Sequence, residues 1–286
     1  MSTADLDALP PLRDALADHG LLADKRFGQH FLLDLNLTRK IARIAAPLTD
    51  AVVIEVGPGP GGLTRALLAE GAARVIAIER DPRFIPLLQE VQVASDGRLT
   101  LIEGDALKAD EAALVAEHAP GLRPLVISNL PYNVGTPLLV RWLTGAWRPA
   151  GMALMFQREV ADRIVAPVGS DAYGRLSVLA QAMSEARLAM TLPARAFTPP
   201  PKVDSAVVAL TPRAEAPAGD LLAALERVTG AAFGQRRKML RSSLKPLGGA
   251  ALCEAAGIEA DARAEVIDVA GFLRLAASTL AHTRRS

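Results

Sequence analysis

Short apolar runs rich in β-branched residues recur through the first half of the chain: Val52-Val53-Ile54, Val75-Ile76-Ala77-Ile78, Leu99-Thr100-Leu101-Ile102 and Leu125-Val126-Ile127. Runs this short, bounded by polar or glycine-rich residues, predict buried strands. Between and after them, residues 63–68, 82–91, 111–118 and 137–143 have helical composition and spacing. The alternation predicts a βαβαβαβ order and a parallel sheet. Further strands are expected over residues 152–156, 188–192 and 207–210, and helices over 159–164 and 176–184. After Thr211 the texture changes. The segment Pro212-Arg213-Ala214-Glu215-Ala216-Pro217-Ala218-Gly219 has linker composition, and the remaining residues are rich in Ala, Leu and Arg with no convincing strand. Three parts are therefore expected: an arm over 1–24, whose helical or frayed state the sequence leaves open, an α/β domain over 25–211, and a small helical domain over 212–286.

Composition narrows the function classes. Half of the 286 residues are hydrophobic, enough for a sizeable core. The single cysteine, Cys253, excludes an internal disulfide and a multi-cysteine zinc site, and four scattered histidines show no ligand spacing, so no metal is expected. The first sixteen residues carry Asp5, Asp7 and Asp14 without an apolar stretch, and no run approaches a membrane span. A reducing, cytoplasmic location follows as the expectation, and the lack of a heptad or apolar stripe leads us to expect a monomer. The net charge of +1 conceals an asymmetry: from Pro212 onward there are 11 Lys or Arg against 8 Asp or Glu, and before it 21 against 23.

Candidate chemistry gathers at strand ends. Glu55, Glu79, Asp105 and Asn129 close the first four strands at separations of 24, 26 and 24 residues. One βαβ repeat takes about 25 to 30 residues, so these side chains are expected in a row along the carboxyl edge of the sheet. After Glu55 comes Gly57-Pro58-Gly59-Pro60-Gly61-Gly62, which satisfies G-x-G-x-x-G through Gly57, Gly59 and Gly62. Glycines there let backbone approach a ligand, and the next helix presents free N–H groups. Glu79 is placed to bind both ribose hydroxyls, and Asp105 to accept from an adenine amine or simply to cap a helix. Glu55 is assigned instead to holding the turn or the arm. An adenosine-containing cofactor fits, either a nicotinamide dinucleotide or S-adenosylmethionine. Hydride transfer needs a general acid in a suitable setting, which His30, His118 and His282 lack. Methyl transfer needs an acceptor pocket, and Asn129-Leu130-Pro131-Tyr132 offers a side-chain carbonyl, backbone carbonyls and a ring within one turn, although Asn-x-Pro is also an ordinary exit from a strand.

Five motifs in order carry a resemblance: Gly28-Gln29-His30-Phe31-Leu32, Glu55-Val56-Gly57-Pro58-Gly59-Pro60-Gly61, Asn129-Leu130-Pro131-Tyr132, Phe197-Thr198-Pro199-Pro200-Pro201-Lys202-Val203-Asp204-Ser205 and Phe233-Gly234-Gln235-Arg236-Arg237-Lys238. From about Lys25 to about Arg274 the chain resembles the ribosomal RNA adenine N6,N6-dimethyltransferases, in particular the bacterial small-subunit group; the last two motifs separate it from the sister group acting on the large subunit. The resemblance implies a class I methyltransferase domain, that is a Rossmann-like doubly wound sheet, with a small α-helical carboxyl domain that binds RNA. It implies S-adenosyl-L-methionine as cofactor, and as substrate two adjacent adenosines in a hairpin loop near the 3′ end of 16S rRNA in the small subunit or its precursor. By position, the family's cofactor contacts fall on His30, Leu32, Gly57, Glu79, Asp105 and Asn129. At residue 30 the family motif often has Asn, and an imidazole differs from it in reach and in carrying a titratable nitrogen.

The residue types fit that chemistry. The lone pair of an adenine amine is delocalised into the ring, so the task is to pyramidalise N6 and align it, which requires positioned acceptors more than a strong base. Asn129 Oδ1 and the Leu130 carbonyl are the expected acceptors, Pro131 fixes φ and removes a competing N–H, and Tyr132 supplies a stacking face. Phe197 is the candidate for the opposite side of the base, with plain core packing as the other account of it. Arg236, Arg237, Lys238, Arg241 and Lys245 place five cations within ten positions; either they form a solvated helix face or they grip phosphates. Lys25, Arg26, Arg39, Lys40, Arg43 and Lys202 are expected to line the rest of an RNA channel. A DNA adenine-N6 methyltransferase, a ribosome-assembly binding factor and a nicotinamide dehydrogenase are the competing functions.

Overall fold

The computed structural model describes residues 4–21 and 30–283. Of the residues singled out above, Lys25, Arg26, Gly28 and Gln29 lie outside the described ones.

The chain divides into two compact units, one of Met1–Ala161 with Arg187–Thr211, the other of Asp162–Ala186 with Pro212–Ser286. In the first, strands β2 (Ala51–Val56), β3 (Arg74–Glu79), β4 (Leu99–Glu103), β5 (Arg123–Asn129) and β6 (Gly151–Gln157) are parallel, and β9 (Ser205–Pro212) runs antiparallel to β6. With β7 (Ser184–Leu192) at one edge, the order is β4-β3-β2-β5-β6-β9-β7. The sheet is doubly wound, with its switch point between β2 and β5. Every residue of β2 is buried. Its alternate side chains enter different cores: Val53 packs in a cluster with Ile41, Leu67 and Leu68, whereas Val52 joins Ile76 and Ala119 on the other face.

Helices α3 (Leu35–Ala42), α4 (Gly62–Ala69), α5 (Ile85–Ala94), α6 (Glu111–His118) and α7 (Gly135–Thr144) complete the βα repeats. Helix α7 is clamped to α6 through the buried Glu111 carboxylate, which accepts from Trp142 Nε1 at 2.7 Å and from the Arg141 guanidinium. The amino-terminal arm forms α1 (Ala4–Asp7) and α2 (Leu12–Asp18). Ala15 and Leu16 of α2 pack with Phe31, Phe84, Leu87 and Leu88, and Arg65 Nη1 donates to the Pro10 carbonyl at 2.7 Å. Its apolar positions thus attach it to the sheet domain.

Two short features leave no trace in the periodicity. Strand β1 (Phe31–Leu32) pairs antiparallel with β8 (Phe197–Thr198), joining Leu32 to Phe197 across more than 160 positions of sequence. After β6 come α8 (Arg158–Val165) and α9 (Arg175–Met183), and Ser184 opens β7 instead of closing α9.

The second unit is built on α10 (Gly219–Gly234), α11 (Leu240–Ser243), α12 (Gly249–Ala255) and α13 (Val269–Thr283). It also takes in Asp162–Ala186, a stretch expected in the α/β domain. The reason is packing: Tyr173, Val178, Leu179 and Ala182 share a core with Leu225, Val228, Phe272 and Leu275, and Tyr173 Oη donates to the Ile267 carbonyl at 3.0 Å. An amphipathic helix declares that it has a buried face but not which partner covers it.

Candidate active site

The strand ends at the switch point open into a pocket of about 590 Å³, within the range of small-molecule sites. Glycine is required at two places in its floor. Gly57 has φ +65°, and a Cβ there would stand 3.1 Å from Pro131 Cγ; at Gly62 a Cβ would meet the Leu32 carbonyl at 2.8 Å. The glycine turn is therefore wedged between the Asn129–Tyr132 turn on one side and β1 on the other.

Glu79 ends β3 buried, and its carboxylate holds this turn. Its Oε2 accepts from Gly59 N–H at 2.9 Å and its Oε1 from Asp81 N–H at 2.8 Å. Burial raises its pKa, while the backbone donors act in the opposite sense. A carboxylate offers about four lone-pair sites, and with the Arg80 N–H as a third backbone donor one direction remains for a ribose hydroxyl. Glu55, in the next strand, is 2 % exposed and its Oε2 accepts from Thr64 Oγ1 in α4 at 2.6 Å. It lines the same pocket and secures the helix after the glycine turn. Burial, with a smaller contribution from the Glu79 charge, pushes its carboxyl up to about 8, against the single lowering effect of Thr64.

On the other side of the switch point, Asn129 lies opposite Met155 at the end of β5. Ser128 Oγ donates to the Val56 carbonyl at 2.7 Å, fixing β5 to β2 where the ladder between them has ended. Pro131 O is taken by the N–H groups of Val134 and Gly135, both at 3.1 Å, so the turn passes directly into α7. Asn129, Leu130, Pro131 and Tyr132 all line the pocket with His30, Leu32, Gly57, Glu79 and Phe197. His30 Nδ1 donates to the Pro199 carbonyl at 2.7 Å, and its ring centroid is 6.2 Å from that of Tyr132. Tyr132 is 36 % exposed, leaving ring surface open to a ligand, whereas Phe197 is 3 % exposed. Phe197 belongs to the main core and at the same time lines the pocket, so packing and a place beside a ligand are compatible for this ring.

Asp105 is placed differently. It stands outside the pocket lining, and its Oδ1 accepts from Leu107 N–H at 3.0 Å as the cap of a short turn, with Oδ2 3.9 Å from Arg80 Nη1. The pocket is closed at that end by Arg80, Asp81, Pro82, Arg83 and Phe84, residues that no motif marked and that only their position after Glu79 could have suggested.

The cationic run from Arg236 does not form one helix face. Gln235 to Lys238 form a turn after α10, Met239 makes an isolated antiparallel bridge with Arg263, and only Arg241 falls in α11. Buried Leu240 and Leu244 anchor it, leaving all five cations exposed. Arg236 donates to the Asp171 carbonyl at 2.7 Å and Arg241 pairs with Asp261 at 3.0 Å. In the first unit, Lys40 and Lys202 are exposed, but Arg43 meets Glu70 through two hydrogen bonds, at 2.7 and 2.9 Å, and Arg39 lies 4.0 Å from the same carboxylate. Those two arginines carry less free charge than their spacing suggested.

A model of the family described as ribosomal RNA adenine dimethylase matches residues 20–280. The chain belongs to that family. It is 66 % identical over 276 residues to the ribosomal RNA small subunit methyltransferase A of Phenylobacterium zucineum, covering 96 % of this chain and 95 % of that protein. With the protein of the same name from Caulobacter vibrioides it shares 68 % over 259 residues, 91 % of this chain and 98 % of the other. Among solved structures, a dimethyladenosine transferase from Plasmodium falciparum superposes with a TM-score of 0.72 at 25 % identity, over 86 % of this chain and 96 % of that one. The 23S rRNA methyltransferase ErmE does so with 0.68 at 26 %, over 87 % and 98 %. This dimethylase family member therefore carries the class I methyltransferase fold. Among its described residues, no helix is long and apolar enough to cross a membrane.

Proposed function

We propose that this chain transfers methyl groups from S-adenosyl-L-methionine to N6 of two adjacent adenosines in a hairpin loop near the 3′ end of 16S rRNA, giving N6,N6-dimethyladenosines in the small subunit or its precursor. The observation that carries the reading is the meeting of Gly57 and Pro131 at the switch point, which places the glycine turn and Glu79 in one pocket with Asn129, Leu130 and Tyr132. The small-subunit name of the relatives near two-thirds identity supports this substrate over large-subunit RNA.

The residues present fit the cofactor. Glu79 keeps acceptor capacity for a ribose hydroxyl, Gly57, Gly59 and Gly62 offer backbone without side chains between the Pro58 and Pro60 rings that also line the pocket, and Asp105 Oδ2 is an acceptor for an adenine amine. When bound, S-adenosylmethionine supplies a methyl group on a sulfonium that leaves as a neutral thioether. The protein's part is placement. Asn129 Oδ1 and the Leu130 carbonyl accept the N6 hydrogens, which draws the amine towards sp³ geometry and directs its lone pair. Tyr132 and Phe197 hold the plane of a base splayed from its loop. Each transfer leaves a positive charge on N6 that is discharged by loss of one proton to solvent; after the first, one hydrogen remains on N6, so the second depends on one acceptor and on stacking. The exposed cations of the helical unit, with Lys202, grip phosphates and set position without reading sequence. We take the enzyme to act as a cytoplasmic monomer.

Nucleoside mass spectrometry of unmethylated small subunits, before and after incubation with the protein and the methyl donor, tests the reading. N6,N6-Dimethyladenosine in 16S rRNA is expected; methylated deoxyadenosine in DNA alone would overturn it. Asn129→Ala is expected to reduce transfer by roughly 100-fold or more, the scale of losing one preorganised polar contact to the reacting group, with an unchanged melting temperature. Normal turnover in that variant would remove Asn129 from the reaction.

A further inference from the structure

The motif ending Val203-Asp204-Ser205 contributes nothing to the pocket lining after Phe197, yet its last residue touches the site. Tyr132 Oη lies 3.3 Å from Ser205 Oγ, either hydroxyl being able to donate. Ser205 is fully buried at the start of β9 and is paired in register with Gln157 of β6. The residue before it is held twice: Arg158 N–H donates to the Asp204 carbonyl and Ala194 N–H to Asp204 Oδ1, both at 2.9 Å. The Ser205 hydroxyl is thus a fixed point on the sheet. Tyr132 is the opposite case, a ring 36 % exposed in a turn, whose aromatic neighbour among the described residues is His30 at 6.2 Å. A half-exposed tyrosine without an anchor at its far end samples several rotamers within nanoseconds.

We propose that Ser205 is a positioning residue: it tethers the Tyr132 hydroxyl across the end of β6, holding the ring at the angle that the stacked adenine requires, and so favours the second methylation more than the first. The asymmetry follows from the hydrogens. The unmethylated amine is oriented by two acceptors as well as by stacking, whereas the monomethylated amine has one hydrogen left and relies more heavily on the ring. The separation of 3.3 Å is long for a hydroxyl pair, which suits a tether that tightens when the base arrives. The inference rests on the methyltransferase reading above.

Single-turnover methylation of small-subunit 16S rRNA, with quantification of N6-methyl- and N6,N6-dimethyladenosine, tests it. Ser205→Ala is expected to slow the second transfer by roughly two- to ten-fold, as for one neutral hydrogen bond, with the first slowed less and monomethyl product accumulating. Tyr132→Phe should give the same product ratio, and Ser205→Ala added to Tyr132→Phe should change it no further. Ser205→Thr, which keeps the hydroxyl, should restore the ratio to near the native value. A merely destabilised fold would lower the active fraction without altering the ratio. Equal slowing of both transfers, or additive effects in the double variant, would overturn the proposal. An absence of transfer by the native protein would instead overturn the methyltransferase reading.

Discussion

Replacing Glu55 by glutamine separates the carboxyl group's structural role from its charge. The folded protein keeps the Glu55 proton up to about pH 8, against an ordinary value of 4.5. Between those two values the unfolded chain binds fewer protons than the folded one, so stability falls as pH rises. The contribution is fully present below about pH 4.5, is lost progressively above it, and has gone by about pH 8. At pH 7 the loss is on the order of 3 kcal/mol, taking 1.36 kcal/mol per pH unit of separation. The amide introduced by Glu55→Gln retains a carbonyl to accept from Thr64 Oγ1, and it carries no titratable proton. Any packing penalty of the amide is independent of pH and cancels from the comparison. Melting temperatures of native and variant protein, measured without ligand from about pH 5 to about pH 8, should therefore diverge. The variant gains several degrees relative to the native chain at the alkaline end, about 2 to 4 °C per kcal/mol for a unit of this size. A difference that stays constant across that range would refute the reasoning, because it would mean that Glu55 ionises as freely in the folded pocket as in water.

Two further perturbations probe the pocket floor and the proposed RNA surface. Gly57→Ala places a Cβ 3.1 Å from Pro131 Cγ at φ +65°; a cost of about 1 to 2 kcal/mol for the left-handed backbone is expected, together with roughly ten-fold or greater weakening of methyl-donor binding by calorimetry, and native affinity would show that the turn is not in contact with it. Arg237, Lys238 and Lys245 changed together to alanine should leave donor binding intact and lower the slope of log affinity for rRNA against log salt by about 2, from roughly 0.7 per phosphate contact on single strands. An unchanged slope in a filter-binding titration would take these cations off the RNA.

How legible the molecule was depended on the distance over which each feature is decided. The parallel strands and their helices declared themselves because burial on both faces writes continuous apolar runs such as Val52-Val53-Ile54. Glu55, Glu79 and Asn129 were found from repeat length alone, since a βαβ unit of nearly constant size returns each strand end to the same edge. Asp105 obeyed the same spacing, but β4 lies outermost on that side of the sheet, and its carboxylate caps a turn through Oδ1 while Oδ2 stands 3.9 Å from Arg80, a residue of the pocket lining. Features settled by partners far along the chain were not legible. The Arg43–Glu70 pair, the β1–β8 ladder and the Ile267 partner of Tyr173 each depend on a contact that leaves no local pattern.

The least legible contacts are also the ones that finish the site. Nothing within Asn129–Tyr132 fixes the ring of Tyr132, and nothing within 30–32 fixes the imidazole of His30; both are held by atoms of the segment from Phe197 to Ser205, through Ser205 Oγ and the Pro199 carbonyl. That segment is itself held by β1 at one end, through the Leu32 to Phe197 pairing, and by β6 at the other, through Gln157 to Ser205. The proline-rich motif therefore acts as a brace joining the His30 side of the pocket to the Tyr132 side. Its sequence marks it as unusual because of its prolines, while its contribution lies in the two hydrogen bonds at residues 199 and 205. Under the proposed function, the alignment of a base with a methyl donor would be set by the antiparallel strand added to the parallel sheet as much as by the Asn129–Tyr132 turn proposed to receive the base.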